Sequence, residues 1–402
     1  VGGNNVTCAA GIRAPNTTTG FDLRLVDNLA ELERLVPEWE ELLASYPYST
    51  IFSTWDWLSC WWHAFGGSES LRVLVVRDGS HTLAGLAPLM LSEVRTLGVR
   101  LRLLRLMGDG THDSDNLDLP VRPARETGFT RTIFDWLNQS REWDICQLRT
   151  LPSDSVAGHL LTAELKRQRW RVFSSTRPRS VIELPATWEA YLKMLSAKER
   201  GKVGLRARRL EKKYRIEIYK CSAKNELGPS LEALFELHRK HWELRGLPGT
   251  LHVPARRRFY YELATALLDR SRLDFWLLKA DGKIVAAQFG MRFRDTVFSL
   301  QEGFDPEYAA DSVGYVLRSQ VLKHLIAEGV RRYDFLGGTD ESKIRWNASV
   351  TNYFNYEFAR PHTRGAFYLA WKNSAEALKS AARNTLPHGW LNAIRKIRRK
   401  QA

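Results

Sequence analysis

Two stretches of the chain carry the same pattern of apolar run, turn and apolar run. Residues 71–91, LRVLVVRDGSHTLAGLAPLML, pass from a β-rich segment through Asp78-Gly79 into a second apolar segment, and residues 273–293, LDFWLLKADGKIVAAQFGMRF, repeat it around Asp281-Gly282. Asp-Gly between apolar runs is the strongest short-range hairpin signal, because a two-residue turn needs residues that tolerate positive φ. Each predicted hairpin follows a Trp-rich helical stretch, Trp55 to Trp62 in the first half and His238 to Trp242 in the second. The spacing therefore predicts a duplicated chain.

In the second half the pattern predicts a strand over 296–303, a loop over 304–311, a helix over 312–328, a strand over 330–336 and an alternating strand near 351–359. Leu317, Val321 and Leu325 recur at i,i+4 beside Leu322 and Ile326, with Ser312 able to cap the start and Gly329 marking the end. This order makes an α/β unit with a mixed sheet. Used twice, it gives two tandem units with mixed central sheets and flanking helices. The expected division is a disordered leader over 1–20, a first unit over 21–185, a second over 186–360 and a basic helical tail over 361–402. Within the tail, residues 388–402 place Trp390, Leu391, Ile394 and Ile397 on one face and five cations on the rest, the pattern of a helix that lies on an anionic membrane.

Composition narrows the partners. The chain has 402 residues, 44% hydrophobic and 26% charged, enough for two ordinary cores, and a net charge of +15 that favours phosphorylated cofactors, nucleic acid or an acidic membrane surface. Ten of the cations fall between Ser196 and Lys220 against three Glu, a basic helix that could face a cleft and hold phosphates or be a solvated face. Cys8, Cys60, Cys146 and Cys221 show neither CxxC pairing nor zinc spacing, and His238 and His241 lack a third ligand at matching spacing, so no metal is expected. No apolar run approaches a membrane span and no signal-like start precedes one, which predicts a cytoplasmic protein, peripheral at the inner membrane if the tail docks. GxSxG, P-loop and GxGxxG motifs before a suitable helix are absent, excluding those readings.

Asp311-Ser312-Val313-Gly314-Tyr315 is the best anion site in the chain, because unpaired N–H groups and the helix dipole converge at a helix start and Gly314 lets a ligand approach the backbone. Around it lie Trp55 through Trp62, Ser196-x-Lys198-x-Arg200, Trp242-x-x-Arg245-Gly246, Gly303-Phe304-Asp305, Tyr333-Asp334-Phe335-x-Gly337 and Lys343-x-x-Trp346. Over roughly residues 50–360, in order, this set resembles the CelD/BcsL group of GNAT-superfamily acetyltransferases, which is similar in architecture to the tandem-GNAT FemAB aminoacyl transferases. Val313 stands where that group commonly has proline.

The resemblance implies a tandem GNAT-like fold and acyl transfer from acetyl-CoA or another acyl-CoA to an amine or hydroxyl of a sugar or polysaccharide precursor, in cellulose or exopolysaccharide production. It implies a donor site at Ser312, Val313, Gly314, Tyr315 and Lys343. Catalysis would fall to Glu302 as base, with Asp305 and Tyr308 following it; Tyr308 or Tyr315 could protonate the leaving thiolate. Trp242, Arg245, Asp334 and Trp346 would meet the acceptor, Asp334 alternatively pairing with Lys343 or Arg345 because a buried carboxylate needs a partner. The first unit, lacking a comparable Ser-x-Gly helix start, is expected to be structural, and its acidic loop, Asp109, His112, Asp113, Asp115 and Asp118, to reflect turn chemistry. Two rivals remain: an aminoacyl-tRNA-dependent transferase that uses the basic stretch as an RNA surface, and a catalytically inactive binding protein of a polysaccharide assembly complex.

Overall fold

The computed structural model describes residues 20–385 apart from Leu97, His112, Arg245 and Pro248, with side chains of Val156–Gly158, Glu376 and 378–385 also left undescribed. Arg245, His112, Cys8 and the amphipathic segment 388–402 therefore lie outside the described residues.

The first half runs β1 (Phe21–Val26), α1 (Leu29–Arg34), α2 (Val36–Ser45), α3 (Trp55–Phe65), β2 (Ser70–Leu71), β3 (Val73–Asp78), β4 (Leu83–Ala87), β5 (Leu89–Thr96), β6 (Val99–Leu106), α4 (Glu126–Gln139), β7 (Ile145–Pro152), α5 (Val156–Arg167) and β8 (Arg171–Glu183). The second runs α6 (Trp188–Met194), α7 (Ala197–Lys213), β9 (Ile216–Lys220), α8 (Lys224–Glu243), α9 (Pro254–Asp269), β10 (Leu273–Ala280), β11 (Lys283–Phe293), β12 (Thr296–Phe304), α10 (Val313–Ala327), β13 (Arg332–Gly337), α11 (Glu341–Ile344), β14 (Ser349–Ala359) and α12 (Arg364–Thr385).

Both hairpins form, on different turns. Asp281 (φ 51°) and Gly282 (φ 84°) make the expected two-residue turn between β10 and β11. Asp78-Gly79 does not: Asp78 closes a longer turn through N–H bonds from Ser80 and Thr82 to its carboxylate, and the left-handed residue is His81. An Asp that bonds its own turn competes with the tight geometry.

The repeat is deeper than the hairpins. β1-β3-β4 in a three-stranded sheet matches β9-β10-β11, and the run of β4 and β5, interrupted at Pro88, matches β11. In each half the next two strands are a parallel pair connected through a helix: β6 with β7 through α4, and β12 with β13 through α10. The large sheet has eleven strands in the order β2-β5-β6-β7-β14-β8-β13-β12-β11-β10-β9. Each half lends a strand to the other. β8, early in the chain, pairs with β13, while β14 pairs with β7, and β8 and β14 pair with each other over eleven positions. The two halves thus share one continuous sheet, without a sheet edge at their junction.

Candidate functional site

β12 and β13 run side by side for three pairs only, Thr296–Phe298 against Arg332–Asp334, and then part, β12 staying with β11 and β13 turning to β8. The start of α10 sits over the opening. A cleft of about 300 Å³ lies there, lined by Gln288, Glu302–Phe304, the first turns of α10, Arg206 of α7, and Arg345 and Trp346 after α11.

The helix start has an unusual turn-in. Ser312 is left-handed (φ 60°, ψ 35°) and its hydroxyl caps nothing, contrary to the expected capping role. Asp311 is no cap either: both of its oxygens accept from Lys213 Nζ at 2.9 Å, and Tyr214 donates to one of them at 3.0 Å. The first N–H to bond within the helix is that of Val316, to Ser312 O at 3.0 Å. The N–H groups of Val313, Gly314 and Tyr315 are therefore left at the mouth of the cleft without a side-chain cap, the arrangement that holds anions. A Cβ on Gly314 would come no closer than 3.4 Å to Phe304, so the fold does not require glycine there, whereas a ligand lying on the backbone would.

Aromatic and cationic groups frame that mouth. The Tyr315 ring lies between the Arg206 guanidinium, 4.2 Å from its centroid, and Trp346, 4.5 Å centroid to centroid. Burial pushes its phenol up to about 12, the Glu199 carboxylate adding to the shift. Its hydroxyl turns toward Glu199, 3.4 Å away, so it is the ring that faces the cleft. Arg206 and Arg345 supply positive charge beside the open N–H groups. Beneath them, Arg318 of α10 is buried and ion-paired with the exposed Glu302, and its guanidinium is pushed below its usual range by burial. Reading the sequence missed Arg318. A lone cation among Val316, Leu317, Val321 and Leu322 on an apolar helix was the available signal.

The cleft brings together Glu302, Ser312, Val313, Gly314, Tyr315 and Trp346; other expected site residues are spent elsewhere. Asp305, almost fully buried, accepts from Lys240 and Lys283 at 2.8 and 3.0 Å and from Glu307 N–H. Burial alone would raise its pKa, but the two lysines hold it below the ordinary value. Tyr308 packs against Tyr214 with Lys283 over its ring. Trp242 donates from Nε1 to His238 Nε2 at 2.8 Å, one layer behind Phe304, against which His241 packs. Lys343 points away from the opening and bonds the carbonyls of Phe335, Gly337 and Gly338. Asp334 is not paired with Lys343 or Arg345: its carboxylate clasps the N–H of Leu336 at 2.7 Å, where burial raises its pKa and Arg179 is the strongest opposing charge. That bond supports the left-handed Leu336 at which β13 leaves its register.

The matching opening of the first half is closed by the acidic loop. Asp109 lies 4.0 Å from both Arg105 of β6 and Arg149 of β7, where those strands part. Asp113 pairs with Arg256 and accepts from Tyr260, Asp115 joins Arg177 to Gly337 N–H, and Asp118 accepts from Tyr46 and Ser155. These buried carboxylates are ties between elements rather than turn formers, which corrects the expectation from sequence.

Residues 197–344 match the family model of the acetyltransferase (GNAT) domain. The mixed α/β fold, whose first half repeats the strand order of the second, is a tandem GNAT-like one. The crystal structure of FemX aligns with a TM-score of 0.59 at 10% identity, over 80% of this chain and 95% of that one. A conserved protein of unknown function from Bacteroides thetaiotaomicron VPI-5482 aligns with a TM-score of 0.54 at 13% identity, over 84% and 99%. Among curated proteins, none matches the sequence. No helix among the described residues is long and apolar enough to cross a membrane.

Proposed function

We propose that the chain is an acyl-CoA-dependent acyltransferase whose donor binds in the second half, 186–360, with the first, 21–185, serving as scaffold and acceptor-facing wall. The observation that carries this reading is the uncapped start of α10, with the N–H groups of Val313, Gly314 and Tyr315 at the mouth of an opened parallel pair, inside the segment that matches the GNAT domain. Pyrophosphate would take those N–H groups, with Arg206 and Arg345 beside it. The acceptor amine or hydroxyl attacks the thioester carbonyl, the C–S bond breaks, Glu302 takes the acceptor's proton, and the thiolate leaves to be protonated as free CoA. Arg318 pairs with the Glu302 carboxylate and holds it at the mouth of the cleft. A sugar or polysaccharide-precursor acceptor rests on the CelD/BcsL resemblance, and it would approach from the Trp242 side, where α8 meets β12.

Gly314→Val tests the donor site. The fold has room for the added atoms only up to Phe304, so their bulk falls on the ligand's path. Calorimetry should show CoA binding to the parent chain and at least tenfold weaker binding to the variant at unchanged thermal stability. Equal affinity removes α10 from the donor site. Absence of CoA binding, together with tRNA binding that weakens steeply with salt, would move the assignment to a tRNA-dependent transferase.

A further inference from the structure

The floor of the cleft contains two polar atoms that the fold leaves unmatched. Arg318 Nε has no hydrogen-bond partner although its side chain is only 8% exposed, and Gln288 Oε1 has none although Gln288 is 4% exposed. Both residues line the cleft. They belong to one polar chain: Gln288 Nε2 donates to the Tyr333 hydroxyl, Arg318 lies against that same hydroxyl, and Glu302 pairs with Arg318 from the mouth. Leaving a donor and an acceptor unmatched in one floor is costly, so folds retain such pairs where a ligand completes them.

The chemistry of the occupant follows from charge and valence. Glu302 neutralises Arg318, so the floor carries no net charge to attract a carboxylate. An apolar acyl end would bury both atoms without relief. A group with one donor and one acceptor relieves both, its lone pair taking Arg318 Nε–H and its proton going to Gln288 Oε1. Arg318 stands five residues beyond Val313, about 7.5 Å along the helix axis from the open N–H groups, so the floor is reached by the part of a donor that has passed the helix start.

We propose that the floor formed by Arg318 and Gln288 is an acyl-group subsite, and that the enzyme transfers a neutral acyl group with a hydrogen-bonding head, of the hydroxyacyl class, rather than plain acetyl. This rests on the donor reading above and sharpens it.

The test is calorimetric, without acceptor, using free CoA, butyryl-CoA, 3-hydroxybutyryl-CoA and succinyl-CoA. The expected result is binding of 3-hydroxybutyryl-CoA about tenfold or more tighter than butyryl-CoA, as one added hydrogen bond to a charged donor gives. Gln288→Leu and, independently, Arg318→Met should erase that preference; either variant alone suffices if the other fails to fold. Equal or tighter binding of butyryl-CoA, with free CoA binding intact, overturns the subsite and leaves the donor site standing. Tightest binding of succinyl-CoA overturns the neutral class in favour of an anion pocket. No binding of free CoA removes the donor reading and this subsite together.

Discussion

Asp305 immediately follows β12, two residues beyond the cleft-lining Gly303, and the fold assigns it to structure rather than chemistry. Its buried carboxylate joins Lys240 of α8 to Lys283 at the start of β11 and caps the turn at Pro306–Tyr308. Asp305→Ala removes two charge-assisted bonds and one backbone bond. Lys240 and Lys283 keep 29% and 49% of their side-chain exposure, so screening limits each ion pair to about 0.5–1 kcal/mol, and the lost cap adds about 1 kcal/mol. The expected loss is therefore about 2–3 kcal/mol, a fall in melting temperature of about 3 °C for a chain of this size. Asp305→Asn keeps the cap and should lose about half of that. The carboxyl is held below its ordinary pKa, so its contribution is complete above the ordinary carboxylate range and is lost only as pH falls through the lowered value; the gap between parent and Asp305→Asn should be constant from neutral pH down to about 4 and close below it. Thermal denaturation followed by near-ultraviolet circular dichroism, with CoA titration of each folded variant, decides the matter. Wild-type melting with unchanged CoA affinity but abolished transfer would refute the structural assignment and return Asp305 to the catalytic set.

His238 is pushed down to about 4, first by burial and then by the nearby His241 and Arg256 charges, while an unfolded imidazole titrates near 6.5. The unfolded chain then binds a proton that the folded chain refuses, so urea midpoints should fall as pH drops from 6.5 toward 4, and the fall should be smaller in His238→Gln; identical slopes would place the linkage elsewhere. The C-terminal segment 388–402 should carry the chain onto acidic vesicles at low salt, aided by the exposed Phe367 and Trp371 of α12, with about 1 kcal/mol for each surface-proximal cation. A chain ending at Pro387 should stay in the supernatant, and equal behaviour of the two chains would reject the tail as an anchor.

What could be read from the sequence divides by range. The helix over 312–328, the strands flanking it and the Asp281-Gly282 turn are set by residues within a few positions of one another, and they appear with bounds shifted by at most two residues. The helix start was legible for the same reason, because apolar spacing and a nearby glycine are local. The cap expected from Ser312 does not form, since that residue is left-handed, and the carboxylate of neighbouring Asp311 goes instead to Lys213 and Tyr214, nearly a hundred residues away. The acidic loop shows the same limit: Asp113, Asp115 and Asp118 are common turn residues by type, and only their distant partners Arg256, Arg177 and Tyr46 make them ties.

The exchange of β8 and β14 lies further still from anything local. β14 alternates equally well whether it pairs with β13 of its own half or β7 of the other, because period-two patterning fixes which face a residue takes and says nothing about the neighbour. β13 pairs with β8 over Arg332–Asp334 and again at Gly337, and its register breaks between them at the left-handed Leu336, held by Asp334, where β12 and β13 part. The same distortion that makes room for a ligand between β12 and β13 thus accompanies the exchange that joins the halves. A buried Asp on an apolar strand was the visible trace of both, and its role follows once the strand is seen to part from its neighbour.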